Sequence, residues 1–316
     1  MHPSSLHDPR TSSELPAVPA RTALVLGGGG SAGNAWLIGV IAGLSDGGLD
    51  VTRPDLMIGT SAGSTAAAQL TGAAPATLLA DILDAPPLPP RTGPAGPAGP
   101  PQTGPARPTL TSDHLARLQA TIAVASDAAD LRRRMGVVLS ADAASSAAAQ
   151  SRWRTTVAAR FPGGRWPQHR LLITAVDAAS GEPVVFDGDS GVDLVDAVAA
   201  SCAGGFAYRI GEHAYIDGGY RLNADNADLA TGCARVLVLS PLGGRALTPV
   251  EWGTHLATQV DGLRAQGSEV ETVFPDDDSR AAFGDNMMNP AARPPAARAG
   301  YDQGSALAEQ LAGFWS

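Results

Sequence analysis

The chain contains no lysine: all 22 basic residues are arginine, set against 31 acidic ones, for a formal net charge of −9 over 316 residues. The absence of lysine excludes a Walker-type phosphate loop and Schiff-base chemistry. The acidic balance argues against nucleic acid as a partner, because that binding needs a positive face. Cysteine is scarce. Cys202 and Cys233 lie in apolar surroundings without metal-ligand spacing, so no disulfide framework and no metal site are expected, and a reduced interior fits. Long apolar runs are missing too, since residues 35–44 fall well short of the ~20 a membrane span requires. Residues 1–20, rich in Ser, Pro and His, lack the apolar centre of a signal peptide and are expected to form a disordered tail. The expected location is the cytoplasm.

What remains, 44% hydrophobic and 17% charged, suffices for a sizeable core. Residues 22–26 are an aliphatic run that stops at Gly27-Gly28-Gly29-Gly30, as a buried strand entering a glycine turn does. Ala35, Trp36, Ile38, Ile41 and Leu44 then recur at helical spacing until Gly47-Gly48. A second apolar run, 55–58, leads into Gly59-Thr60-Ser61-Ala62-Gly63 and an alanine-rich stretch to about Leu70. This β-α-β-α opening implies a parallel sheet.

Residues 86–108 are a Pro/Gly/Ala tract that fits neither a helix interior nor a central strand, and a surface loop or lid is expected there. Two or three helices should fill 111–160. Strands are expected at 170–176, 183–186, 214–216, 235–239 and 269–274, and helices at 193–200, 249–265 (with Thr248 as N-cap) and 290–314. No repeat and no domain boundary stand out. The expected architecture is a single three-layer α/β/α domain over 21–316 with a mostly parallel central sheet.

Three motifs carry chemistry. Gly59-Thr60-Ser61-Ala62-Gly63 is a G-x-S-x-G between a strand and a helix, the context in which a serine hydroxyl is held clear of a sheet at the positive end of a helix. Gly28-Gly29-Gly30-Ser31-Ala32-Gly33 fits G-x-G-x-x-G and has two chemical readings. Its amides could receive a dinucleotide pyrophosphate, with Asp50 or Asp55 on the ribose. They could instead form an oxyanion hole beside Ser61, because two glycine turns that end neighbouring parallel strands meet at one sheet edge. The third motif is Asp217-Gly218-Gly219, an acid held at the end of a short strand. Of the six histidines, His2, His7, His114, His169, His213 and His255, none sits in a catalytic context. Arg132-Arg133-Arg134 reads as a solvated helix face, and Asp276-Asp277-Asp278 as an acidic helix start.

Together, in this order, a glycine-rich turn after the first strand, G-x-S-x-G after the second and a late D-G-G resemble the patatin-like phospholipases. The resemblance runs from about residue 22 to 239. It implies a Ser-Asp dyad without histidine: Ser61 as nucleophile, Asp217 as base, the Gly28, Gly29 and Gly30 amides on the oxyanion, and Gly33, Gly59, Gly63, Gly218 and Gly219 supporting them. No cofactor or metal is implied. The substrate would be a lipid or other acyl ester, met during transient contact with a membrane surface. Two departures stand out: Ala32 replaces the family's usual basic residue, and the stretch Ala203-Gly204-Gly205-Phe206 lacks an expected proline. The rival readings are an α/β-hydrolase triad of Ser61, Asp217 and His255, and a non-catalytic dinucleotide-binding protein using Gly28 to Gly33.

Overall fold

The computed structural model describes residues 21–86 and 110–315; the expected N-terminal tail and all but the first residue of the Pro/Gly tract lie outside these. The chain opens with β1 (Thr22–Leu26), α1 (Gly30–Asp46), β2 (Leu56–Gly59), α2 (Ala62–Gly72) and α3 (Pro75–Leu83). Three helices follow: α4 (Leu110–Val124), α5 (Ala128–Ser140) and α6 (Ala147–Ala158). Next come β3 (Arg170–Asp177), β4 (Pro183–Phe186), α7 (Leu194–Ser201), β5 (Tyr208–Ile210) and β6 (His213–Asp217). The chain closes with β7 (Arg235–Leu239), α8 (Leu256–Ala265), β8 (Glu269–Val273), α9 (Asp277–Phe283) and α10 (Arg293–Trp315).

The sheet runs β5-β6-β3-β2-β1-β7-β8, with β4 also paired to β3. Its centre, β3-β2-β1-β7-β8, is parallel, whereas β4, β5 and β6 join antiparallel. The parallel strands read as unbroken apolar runs because both of their faces are covered. Leu24, Leu26, Met57, Ile173 and Leu237 pack under α1, α2, α7 and α10. Alternate residues Ala23, Val25, Ile58, Val236 and Val238 pack under α8 and the 3-10 turn Ala227–Ala230. A third cluster seats Leu131, Met135 and Leu139 of α5 on Val176 and Ile216.

Several details depart from the sequence expectation, which had no helix at α3 and began the last helix at 290 rather than Arg293. The helix expected over 249–265 is a 3-10 turn, Val250–Trp252, then a left-handed Gly253 (φ 67°), and only then α8, whose N-cap is His255 rather than Thr248. Strand β5 is an addition: three residues, one of them the exposed Arg209, are too few to show an alternation.

Helices α1 and α10 pack closely through small residues. A Cβ on Gly39 or Gly43 would run into the backbone of α10, and one on Gly300 or Gly304 into the backbone of α1. Trp36, fully buried, donates its indole N–H to Ser279 and Gln303. The expected acidic helix start is the N-cap of α9, where Asp276 accepts from the Ser279 amide at 2.8 Å.

Candidate active site

Register brings the two key side chains together. Gly59 at the end of β2 is level with Ile173 of β3, and two residues further along β3 Ala175 is the antiparallel partner of Asp217, so the turn after β2 and the end of β6 meet at one end of the sheet. The Ser61 hydroxyl donates to Asp217 Oδ2 at 2.8 Å. Ser61 holds φ 52°, ψ −115°, a strained conformation for a residue with a side chain, costing on the order of 1–3 kcal/mol. The surroundings enforce it. Its N–H donates to Ser201 Oγ (2.9 Å), and its carbonyl accepts from Ser64 Oγ (2.6 Å) and the Cys202 thiol (3.0 Å). Gly59 and Gly63 bracket the turn because nothing larger fits: a Cβ on Gly63 would overlap the Leu26 carbonyl, and one on Gly59 would stand 2.6 Å from Ser64 Cα.

Asp217 is buried, and that burial pushes its carboxyl up from an ordinary 3.8 to about 6, against the opposing hydrogen bonds from the Gly219 amide and Ser61. The Gly219 N–H fixes Oδ1 at 2.8 Å and leaves Oδ2 for the serine. Gly218 passes so close to Thr174 that a side chain is excluded. The segment 203–206 also serves this carboxylate: the Ala203 carbonyl accepts from the Asp217 N–H at 3.1 Å, and Gly204 lies against Oδ2.

Sequence reasoning missed the hub beneath both motifs. Asn226, fully buried and left-handed (φ 55°), donates through Nδ2 to Thr60 Oγ1 and to the Gly218 carbonyl, each at 3.0 Å. Thr60 and Thr174 are themselves joined at 2.9 Å. The nucleophile turn and the acid turn thus share one polar anchor. The only sequence signal was the Asn-Ala after Asp225, in a segment with no apolar periodicity.

The glycine turn lies beside Ser61, with Gly28 against the Ser61 Cβ. One expected donor is corrected. The Gly28 N–H already donates to the Ala224 carbonyl at 2.8 Å, so it is not available to an oxyanion. The Gly29 and Gly30 N–H groups have no acceptor among the described residues, and they open the 17-residue helix α1 at its positive end. Gly33 closes the turn by donating to the Gly29 carbonyl at 3.0 Å. Ser61 itself stands at the N-cap position of helix α2.

The rival readings lose their residues. His255 stands at the N-cap position of α8, next to Leu256 of the cluster on the other face of the sheet, and its Nε2 is on the Thr248 carbonyl at 2.8 Å, so it makes no triad with Ser61. Asp55 accepts from Thr22 at the start of β1, the edge opposite the glycine turn, and Asp50 caps Thr52; neither is placed for a ribose. Cys202 is no alternative nucleophile, because burial pushes its thiol up. Of the arginine cluster, Arg132 is a structural strap to the Gly181 and Arg221 carbonyls, while Arg133 and Arg134 pair with Asp130. Among the described residues no group of side chains has the makings of a metal site.

A family model for patatin-like phospholipases matches residues 24–230, from the first strand through the acid turn. The chain belongs to the patatin-like phospholipase family. Membership carries the coarse activity, hydrolysis of lipid acyl esters. Among solved structures, VipD from Legionella pneumophila aligns with TM-score 0.41 and 13% identity, over 92% of this chain and 67% of that one. The type III effector ExoU aligns with TM-score 0.36 and 15% identity, over 92% of this chain and 53% of that one, so this patatin-like chain spans about half of ExoU's length. No curated protein sequence matches it. In this family member the motif position Ala32 is fully buried and donates its N–H to the Met287 carbonyl at 2.9 Å.

Proposed function

We propose that the chain hydrolyses lipid acyl esters through Ser61 as nucleophile and Asp217 as general base, with the Gly29 and Gly30 amides receiving the oxyanion. The observation that carries this reading is the 2.8 Å hydrogen bond from Ser61 Oγ to Asp217 Oδ2. An ordinary aspartate is too weak a base for a serine hydroxyl at neutral pH; desolvation, which pushes Asp217 to about 6, strengthens it.

The steps follow from that geometry. Ser61 Oγ attacks the ester carbonyl as its proton passes to Asp217 Oδ2. The tetrahedral oxyanion develops at the N-terminus of α1, where two fixed N–H donors and the helix dipole stabilise it. The C–O bond to the alcohol then breaks, and Asp217 returns its proton to the departing oxygen. A water molecule, deprotonated by Asp217, attacks the acyl-serine and releases the fatty acid, with the proton going back to Ser61. The base never leaves its position between these two half-reactions.

Contact with a lipid surface belongs to the same reading. Met288, 59% exposed, has its sulfur against Gly30, so an apolar side chain borders the turn that would hold the acyl carbonyl. No helix among the described residues is long and apolar enough to cross a membrane.

The test is turnover of one short-chain p-nitrophenyl ester by three variants. Ser61→Ala and Asp217→Asn lose activity while remaining folded, and His255→Ala retains most of it. A folded but inactive His255→Ala would return the mechanism to a triad.

A further inference from the structure

Arg293, the first residue of α10, reaches back to the glycine turn. Its Nη1 donates to the Ser31 carbonyl at 3.1 Å and to Asn34 Oδ1 at 3.0 Å. Among the described residues it has no carboxylate within 4 Å, and the charge that acts on it is the like charge of Arg160. Burial first, and the charge of Arg160 second, push its pKa down. A largely enclosed, unpaired guanidinium is costly to keep, so what it holds matters.

It holds a relay. Asn34, 4% exposed, presents Oδ1 to Arg293, which fixes the amide so that Nδ2 must face α2. There Nδ2 donates to Gln69 Oε1 at 3.0 Å and to the Ala62 carbonyl at 3.4 Å. Ser31 adjoins Gly30, and Ala62 adjoins Ser61. One guanidinium and one amide therefore join the backbone beside the two free N–H donors to the backbone beside the serine.

We propose that Arg293 is a positioning residue for acyl transfer: acting through Asn34, it fixes the spacing between the Gly29 and Gly30 N–H groups and the Ser61 hydroxyl. The proposal rests on the dyad and oxyanion reading above. It extends the working site to a residue that lies beyond the matched segment 24–230. An error of about 1 Å in such a spacing costs roughly a hundredfold in rate, so the effect should fall on kcat.

The full chain is assayed on a short-chain p-nitrophenyl ester, with melts in parallel. Arg293→Met, which keeps the bulk and loses the donors, lowers kcat by about tenfold to a hundredfold with KM nearly unchanged. Asn34→Leu does the same, and the double variant is no worse than either single one, because both break one connection. Ethylguanidinium added to Arg293→Ala restores part of kcat, whereas sodium chloride at equal ionic strength does not. Arg293→Lys, which keeps the charge and a single reach, gives an intermediate kcat and serves if the Met variant fails to fold. Wild-type kcat in a folded Arg293→Met, or losses that simply add in the double variant without rescue, overturns the proposal. Ser61→Ala separates the two levels. If it is dead while Arg293→Met is normal, only the positioning role falls; if it turns over, the dyad falls and takes this proposal with it.

Discussion

Asp217→Asn should make the protein inactive and, above pH 6, more stable. The folded carboxyl titrates near 6 because burial disfavours its charge, whereas in the unfolded chain it titrates near 3.8. A folded pKa raised above the unfolded one stabilises the fold fully below about 3.8, and that stabilisation is lost as pH rises through about 6. At roughly 1.4 kcal/mol for each tenfold step, the gap between those values amounts to about 3 kcal/mol. The ionised wild type lacks that stabilisation at pH 8. Asparagine, of the same shape and always neutral, still accepts from the Gly219 amide and meets Ser61 across the same gap. The variant should therefore exceed wild type by up to about 3 kcal/mol at pH 8, with the difference shrinking to near zero at pH 4. Asp225, also buried and also pushed up to about 6, is common to both proteins and cancels in the comparison. The assay is urea unfolding of both proteins between pH 4 and 8, read as the midpoint at constant slope. A variant no more stable than wild type at pH 8, or a gain independent of pH, would refute the reasoning.

The same carboxyl sets the rate profile: kcat/KM should be level above pH 6 and fall about tenfold per pH unit below it, as the base is protonated. A profile flat down to pH 5 would mean that another group takes the proton. Gly63→Ala should displace the nucleophile turn, because the new Cβ meets the Leu26 carbonyl, and it should cost about 3 kcal/mol of stability together with most of the activity. Normal melting and turnover in that variant would show that the turn has room that the geometry denies it.

The legible parts of the fold were those written in continuous patterns. Strands β1, β2 and β7 are short unbroken aliphatic runs, and the glycines after the first two mark turns at one sheet edge; their adjacency in a parallel register follows from the βαβ connection. The pairing of Ser61 with Asp217 was reached through motif order, and the register of β3 against β2 and β6 gives the physical reason for it. Less was legible where one residue decides. The break at Gly253 hides in a helix-like pattern, because a left-handed glycine leaves no trace in apolar spacing. The Gly28 donor looked free because the carbonyl that claims it, Ala224, lies far along the chain. Asn226, Asn34 and Arg293 are single polar residues in separate segments, and only the folded chain brings them to the site.

The proposed chemistry turns on Ser61 as a nucleophile activated in place. Its most direct test is covalent labelling of the intact protein by a fluorophosphonate, with the modified residue mapped by mass spectrometry. One label is expected, on Ser61, forming faster as pH rises through about 6 and absent from Ser61→Ala. A label on any other residue, or equal labelling of Ser61→Ala, would contradict it.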